Sequence, residues 1–134
     1  MNSRRSFIKK SSLGLTNLIL LPRISFSKQK TTRTTILHTN DMHSHIESFK
    51  SGKYEGLGGM AKRATIIKKI IETNENVLLF DAGDIFQGTP YFNFYGGELE
   101  FKLMSEMRYD GATLGNHDFD NGLKGLKTQL KHAK

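Results

Sequence analysis

The sequence predicts an α/β domain in which a small sheet of parallel strands is packed against helices. Three short apolar runs of β-type residues alternate with segments in which apolar residues recur at helical spacing. A cluster of polar residues follows each of the three apolar runs. In such a β-α-β order the carboxyl ends of the strands meet at one edge of the sheet, where ligands gather. The order therefore predicts that the three polar clusters lie together.

The three strands are predicted at residues 34–39, 77–80 and 112–114. The first is rich in β-branched residues and ends where Asn40 and Asp41 begin a polar loop. The second is a continuous apolar run, which is typical of a strand covered on both faces. The third is brief. No internal repeat interrupts this alternation.

Three amphipathic helices are predicted between and after the strands. The first follows a glycine-rich turn at residues 56–59 and ends at residues 73–74. The predicted core stripes are Met60, Ala64, Ile67 and Ile71 in the first helix, Leu99, Leu103 and Met107 in the second, and Leu123, Leu126 and Leu130 in the third. The aromatic residues before the second helix are predicted to pack within a loop. They are Tyr91, Phe92, Phe94 and Tyr95.

Residues 1–33 differ sharply in charge from the rest of the chain. They carry eight Lys and Arg residues and no acid, whereas residues 34–134 carry twelve basic and thirteen acidic residues. The formal net charge of +7 therefore arises from the N-terminal segment. Because the predicted domain has no basic excess to neutralise a phosphate backbone, nucleic acid is not an expected partner.

The N-terminal segment resembles a twin-arginine export signal. Arg4 and Arg5 precede a short apolar stretch at residues 13–21, and Ser25 and Ser27 offer a small-residue cleavage site. A disordered basic terminus or a helix lying on anionic lipid is the alternative. We expect residues 1–33 to form a signal segment and linker that engages the twin-arginine translocation machinery. The protein would then be exported to the periplasm or the cell surface.

Residues with metal-ligand chemistry follow the first two strands. The chain has no cysteine, so oxygen and nitrogen atoms must hold any metal. Asp41 and His43 are two residues apart, so both can reach one ion, and Gly83 lets the chain turn and present Asp84 as a bridge between two ions. Taken singly, these residues also fit turn, capping or solvated loop positions. Asp81 is a competing ligand to which we assign a structural role.

The third cluster, at residues 115–118, is the most specific. The amide oxygen of Asn116 is a neutral metal ligand, and His117 would lie beside a metal-bound phosphoryl group. Asp120, three residues later, could accept a hydrogen bond from the imidazole and favour its protonated form. Such a pair resembles a general acid with an orienting carboxylate. A polar turn that leads into the next helix is the alternative.

Together the clusters resemble the calcineurin-like metallophosphoesterases, and among them the exported 5′-nucleotidase and UDP-sugar hydrolase family. The resemblance rests on D-x-H at residues 41–43, G-D at residues 83–84 and G-N-H-D at residues 115–118, in this order and each after a strand. It extends over nearly all of residues 34–134. It implies a four-layer α/β/β/α sandwich, of which residues 34–134 would be the N-terminal part, truncated.

The resemblance assigns metal ligands and leaves the set incomplete. It makes Asp41 and His43 ligands of one ion, Asp84 the bridge and Asn116 a ligand of the second ion. Two divalent ions are implied, and the donor atoms suit Zn, Mn, Mg or Fe. The remaining ligands of the family are histidines in later G-H-x-H motifs, which residues 1–134 do not contain.

The resemblance also implies the reaction. His117 and Asp120 would form the catalytic dyad, and Asp118, where many relatives have Glu, receives no role. The expected activity is hydrolysis of phosphate monoesters, specifically nucleotide dephosphorylation of the 5′-nucleotidase type outside the cytoplasm. Cyclic nucleotides, UDP-sugars or sulfur esters are alternative substrates. The nucleotide pocket would come from a separate C-terminal domain, and an inactive remnant or one piece of a split protein is the non-enzymatic alternative.

Overall fold

The computed structural model describes residues 30–134, so the predicted export signal lies outside the described residues. Within this range no helix is both long enough and apolar enough to span a bilayer. The elements, in chain order, are β1 (Thr35–Thr39), α1 (Met60–Thr73), β2 (Val77–Asp81), α2 (Pro90–Tyr95), α3 (Glu98–Glu106), β3 (Gly111–Ala112), a 3₁₀ turn (His117–Phe119) and α4 (Gly122–Leu130).

The three strands form one parallel sheet in the order β1-β2-β3. Thr39, the last residue of β1, is paired with Asp81, the last residue of β2, and Asp81 is paired with Ala112, the last residue of β3. All three strands therefore end at the same level. The loops that follow them leave from one edge of the sheet, which confirms the α/β prediction.

The helices supply a core on one face of the sheet. Leu79 is 2% exposed and belongs to the buried apolar cluster, whereas its neighbours Leu78 and Phe80 are each 38% exposed. Ile36, paired with Leu78, is 65% exposed. The prediction that β2 is covered on both faces is therefore wrong for residues 30–134, because the core formed by these residues packs against Leu79 and not against its neighbours.

The predicted helix stripes are only partly buried. In α1, Met60 and Ile67 are in the core as predicted, but Ile71 is 37% exposed. Of the stripe predicted for the second helix, Met107 is in the core and Leu103 packs against it. The buried apolar residues within α3 itself are Phe101 and Met104, which were not predicted. Of the three leucines predicted for the last helix, Leu126 alone is buried. The predicted stripes are therefore confirmed in part, and the structure adds Phe101 and Met104 to the core.

The aromatic stretch predicted as a loop is the short helix α2. Pro90 occupies the first turn, where its fixed φ and missing N–H are compatible with a helix. Gly96, in the left-handed conformation with φ 62°, ends the helix. Phe92 is buried against Phe86 with ring centroids 5.4 Å apart, but Phe94 is 83% exposed, so packing explains only part of this stretch.

The third strand lies one residue earlier than predicted and is shorter. It comprises Gly111 and Ala112, which pair with Phe80 and Asp81 of β2. Because β2 ends at Asp81, the chain beyond Ala112 has no strand to pair with. Thr113 still donates its N–H to the Asp81 carbonyl, at 2.9 Å, before the chain turns into the third polar cluster.

Candidate functional site

The loops after β1 and β2 run side by side at the common edge. The N–H groups of Asp41 and His43 donate to the carbonyls of Gly83 and Asp84, each at 3.0 Å. These bonds continue the pairing of β1 and β2 beyond the ends of the strands. They bring the first two polar clusters of the sequence together, as the order of elements predicted.

Asp41, His43 and Asp84 form a cluster with metal-ligand chemistry. One ligand atom from each residue lies within 4.8 Å of those of the other two. The Nε2 atom of His43 is 3.6 Å from Oδ1 of Asp41. Two carboxylates and one imidazole are a donor set that suits borderline divalent ions. The residues present therefore fit a metal ion.

The backbone of this cluster adopts an uncommon conformation. Asp41, His43, Ser44 and Asp84 have φ angles between 45° and 56°, in the left-handed region. For residues with a Cβ this region costs about 1–2 kcal/mol each. Such strain is concentrated at functional sites, where the surrounding contacts must maintain it. Here the hydrogen bonds between the loops after β1 and β2 maintain the left-handed conformation.

Two glycines allow the second and third clusters to approach closely. A Cβ at Gly83, whose φ is +99°, would lie 2.6 Å from the backbone nitrogen of Gly115. A Cβ at Gly115 would overlap Oδ1 of Asp84 and lie 2.5 Å from the backbone nitrogen of that residue. All of these separations are far below van der Waals distance. A side chain at Gly115 would push the Asp84 carboxylate away from its present place, and one at Gly83 would push away the backbone of residues 114 and 115.

His117 lies beside the ligand cluster and is paired with Asp120. Its Nδ1 is 2.9 Å from Oδ2 of Asp120, and its ring meets that of His43 edge to face, with centroids 5.3 Å apart. The hydrogen bond with Asp120 is the main reason that the pKa of His117 is raised above its ordinary value, and the charge of Asp84 adds to the effect. The pair is thus biased towards an imidazolium that can donate a proton.

Asn116 is exposed at the start of the 3₁₀ turn, directly before His117. The N–H of His117 donates to Oδ1 of Asp84 at 3.0 Å, which fixes the third cluster to the second. All three predicted clusters therefore meet at one edge of the sheet. The assignment of Asn116 to a second metal ion stays a prediction.

The family follows from comparison with known proteins. The calcineurin-like phosphoesterase domain matches residues 34–133. The chain belongs to the calcineurin-like phosphoesterase family. This confirms the resemblance inferred from the three sequence motifs.

Several relatives of this phosphoesterase carry the name 5′-nucleotidase. The chain is 52% identical over 105 residues to a snake venom 5′-nucleotidase from Crotalus adamanteus, covering 74% of this chain and 18% of that protein. It is 47% identical over 107 residues to the 5′-nucleotidase of Homo sapiens, covering 75% and 19%. The structure of a 5′-nucleotidase precursor from Thermus thermophilus has a TM-score of 0.69 and 41% identity, covering 75% of this chain and 20% of that one. The chain spans about a fifth of the length of these relatives.

The calcineurin-like phosphoesterase site contains a buried carboxylate to which sequence reasoning assigned no role. Asp118 is 2% exposed and accepts hydrogen bonds from four backbone N–H groups. The donors are Gly115 at 2.8 Å, Ile85 at 2.9 Å, Phe86 at 3.0 Å and Asp84 at 3.1 Å. The only sequence signal is an acid directly after G-N-H, which a polar turn would explain equally well.

Ser44 and Glu100 are further buried residues of this phosphoesterase that sequence reasoning did not single out. Both are 0% exposed, and the Ser44 hydroxyl donates to Oε1 of Glu100 in α3. The Ser44 N–H donates to the Ile85 carbonyl at 2.9 Å. Ser44 directly follows His43, so the hydrogen bond between Ser44 and Glu100 connects α3 to the loop after β1. The two residues are 56 positions apart in the sequence, which explains why no local pattern indicates the contact.

Asp81 is buried at the end of β2, three residues before Asp84. It is 1% exposed; its Oδ1 accepts the Gly83 N–H at 2.9 Å, and its Oδ2 accepts the Thr39 hydroxyl at 2.5 Å. Burial raises the pKa of Asp81, and these hydrogen bonds partly offset the rise. Asp81 thus joins the ends of β1 and β2, in agreement with the structural role we assigned to it.

Proposed function

We propose that the full-length gene product is a metal-dependent phosphomonoesterase of the 5′-nucleotidase type that acts on nucleotides. The observation that carries this proposal is the cluster of Asp41, His43 and Asp84 beside the His117–Asp120 pair. Ligands for a divalent ion and a proton donor thus lie at one edge of the sheet. Membership of a phosphoesterase family and relatives named 5′-nucleotidase support the same reaction class.

The ligand cluster defines where divalent ions would be held. Asp41 and His43 would hold one ion, the Asp84 carboxylate would be shared by two, and Asn116 would contribute its amide oxygen to the second. When bound, such a pair of ions supplies positive charge that activates water and offsets charge on the phosphoryl oxygens. The His117 N–H, which donates to Oδ1 of Asp84 at 3.0 Å, would help to keep this carboxylate in place.

The His117–Asp120 pair would supply the proton that the phosphoryl or leaving oxygen accepts. Asp120 accepts the hydrogen on Nδ1 of His117, so Nε2 is the atom left to face the substrate. The hydrogen bond with Asp120 raises the pKa of His117 and so favours the imidazolium, whose Nε2–H could donate a proton to a phosphoryl or leaving oxygen. The side chain of His117 is 36% exposed, so a substrate in solution can reach it.

We further propose that the protein acts outside the cytoplasm. The twin-arginine-like segment at residues 4–9 is the sequence feature that supports export. One relative is named a snake venom enzyme and another a precursor, which agrees with a secreted type of protein. Fusing residues 1–33 to a reporter that folds before export tests this directly. Arg4→Lys with Arg5→Lys should hold the reporter in the cytoplasm.

The activity is tested with Asp84→Ala in the full-length protein. Phosphate release from a nucleoside monophosphate should fall by more than about 100-fold, the upper range for disturbing partners of a metal site. Bound metal should fall with it. Glu75→Ala is the control, because Glu75 is exposed between α1 and β2, away from the ligand edge. Near-normal turnover by folded Asp84→Ala protein would refute the proposal. Parallel assays of the wild type with a cyclic nucleotide and a UDP-sugar identify the substrate class.

A further inference from the structure

The position of Asp118 suits it to hold the loop after β2, which carries Asp84, rather than to bind metal. Its Oδ1 accepts the N–H groups of Ile85 and Phe86, and its Oδ2 accepts those of Asp84 and Gly115. Each oxygen therefore already has two donors, which uses the acceptor capacity of the carboxylate. The Asp118 side chain is also only 2% exposed, so it is buried away from solvent. A role as a direct ligand or a proton donor does not fit this arrangement.

The bonds of Asp118 join two loops that carry different ligands. Three of its four donors belong to the loop after β2, which contains Asp84, and the fourth, Gly115, belongs to the loop that contains Asn116 and His117. In the opposite direction, the His117 N–H donates to Oδ1 of Asp84 at 3.0 Å. The backbone of Asp84 is thus fixed by the side chain of Asp118, while its side chain is fixed by the backbone next to Asp118.

This double attachment explains how Asp84 keeps its uncommon conformation. Asp84 has φ 56°, a value that a non-glycine residue keeps only when neighbouring contacts maintain it. Three consecutive N–H groups, those of residues 84 to 86, point to one carboxylate. Hydrogen bonds to an ionised acceptor are stronger than those between neutral groups. The charge of Asp118 therefore favours the turn that aims Asp84 at the ligand cluster.

We propose that Asp118 is a positioning residue that sets the geometry of the bridging ligand Asp84 relative to His117. This inference rests on the proposed function, in which Asp84 is shared by two ions. It predicts that the carboxylate charge of Asp118, rather than its size alone, determines metal affinity at the site.

The test compares two substitutions of Asp118 in the full-length protein. Asp118→Asn keeps the size but replaces one acceptor oxygen with an NH₂ group that meets backbone donors. Asp118→Glu keeps both oxygens and the charge. Asp110→Asn is the matched control, because the Asp110 carboxylate also accepts a backbone N–H, that of Leu79 at 2.7 Å, but does not contact a ligand loop.

Two measurements separate positioning from general stability. In metal-free protein, hydrogen–deuterium exchange at residues 84–86 should become at least about 10-fold faster in Asp118→Asn, while α1 exchanges as in the wild type. The affinity for Mn²⁺, measured by calorimetry, should fall about 10- to 100-fold. Asp118→Glu should recover most of this affinity, and Asp110→Asn should bind Mn²⁺ like the wild type.

Three outcomes would overturn the proposal. They are wild-type Mn²⁺ affinity in Asp118→Asn, equal acceleration of exchange in α1 and in residues 84–86, and equal losses in Asp118→Asn and Asp118→Glu. None of these readouts depends on turnover. If the wild type binds Mn²⁺ but releases no phosphate from any ester, the proposed function fails, and the role of Asp118 is still decided by exchange and affinity.

Discussion

The Nδ1 atom of His117 lies 2.9 Å from the Oδ2 atom of Asp120, three residues further along the chain. The 3₁₀ turn at His117–Phe119 produces this contact, because residues three apart lie above one another in such a turn. The hydrogen bond with this carboxylate raises the pKa of the imidazole and uses Nδ1, not Nε2. A spacing of three residues in the sequence thus places a carboxylate against the imidazole.

Replacing Asp120 should impair catalysis without removing metal. Asp120→Asn can still accept the Nδ1 hydrogen, but it removes the charge that favours the protonated imidazole. We expect kcat to fall about 10- to 100-fold, the loss typical of removing an orienting partner. This is less than the full contribution of general acid catalysis, about 100- to 10,000-fold, because the imidazole itself remains. Bound metal should be unchanged, because neither residue belongs to the cluster of Asp41, His43 and Asp84. Steady-state kinetics and elemental analysis of the same preparation measure both.

A second histidine–carboxylate pair provides the control for this substitution. His132 Nε2 lies 3.6 Å from Oε2 of Glu98, and neither residue belongs to the candidate site. Glu98→Gln should leave kcat unchanged. Loss of metal in proportion to the loss of activity in Asp120→Asn would contradict the assignment of His117 and Asp120 to proton transfer.

The convergence of the three clusters could be predicted because it depends on local signals. Each strand is a short β-type run, and parallel strands must end at one edge when helices connect them. Asp41, Asp84 and His117 each follow such a run, so their approach requires no knowledge of side-chain packing. The register, in which Thr39, Asp81 and Ala112 are aligned, satisfies that expectation.

The missed features depend on contacts that no local pattern encodes. Asp118 is bonded to N–H groups more than thirty residues earlier, and Glu100 to a hydroxyl 56 residues earlier. The helix α2 has only six residues, too few for a stripe with helical spacing to be visible. The exposure of Phe80 depends on which face of the sheet the helices cover, and strand composition alone does not specify this.

A methyl group at Gly115 should displace the Asp84 carboxylate. The Cβ of Gly115→Ala would overlap Oδ1 of Asp84 and lie 2.5 Å from the backbone nitrogen of Asp84. The carboxylate must therefore move, and we expect Mn²⁺ affinity to fall by at least about 10-fold, as for other disturbances next to a ligand. Gly111→Ala is the control, because its Cβ would meet Phe80 at an ordinary contact distance of 3.5 Å. Equal Mn²⁺ affinities in the two variants, measured by calorimetry, would contradict this account of the site.

The buried carboxyl group of Asp81 should make stability depend on pH. Burial raises its pKa in the folded state, Asp118 adds to this effect, and Arg63 opposes it. The folded protein therefore binds this proton more tightly than the unfolded chain does. The stabilisation is full below the ordinary pKa of 3.8 and is lost as the pH rises through the raised value.

Asp81→Asn removes this titration, so the variant should lack the fall in stability with rising pH that this group causes in the wild type. The cost of the substitution in free energy of unfolding should be larger near pH 3.8 than at about pH 7, because only the wild type loses stability over that interval. Urea unfolding of metal-free protein at both pH values measures the difference. A cost that stays constant or grows towards neutral pH would show that burial does not control this group.

Ser44 and Glu100 should show strong energetic coupling. Oε2 of Glu100 has no hydrogen-bond partner among the described residues, so the Ser44 hydroxyl is the one side-chain donor that these residues provide to the carboxyl group. Ser44→Ala would leave a buried carboxyl group without that donor, at a cost of about 1–3 kcal/mol in free energy of unfolding. Glu100→Met in the Ser44→Ala background should recover stability, since an apolar pair avoids the unpartnered group.

Ser105→Ala is the matched control for Ser44→Ala. The Ser105 hydroxyl donates to the Phe101 carbonyl at 2.7 Å within its own helix and accepts the exposed Lys134 N–H at 3.0 Å, so its loss leaves no buried carboxyl group without a donor. We expect this substitution to cost less than about 1 kcal/mol. Chemical unfolding of the single and double variants gives the coupling energy. If Glu100→Met destabilises the Ser44→Ala protein further, something other than Ser44 must stabilise the carboxyl group. That result would contradict the idea that the Ser44–Glu100 hydrogen bond stabilises the contact between α3 and the loop after β1.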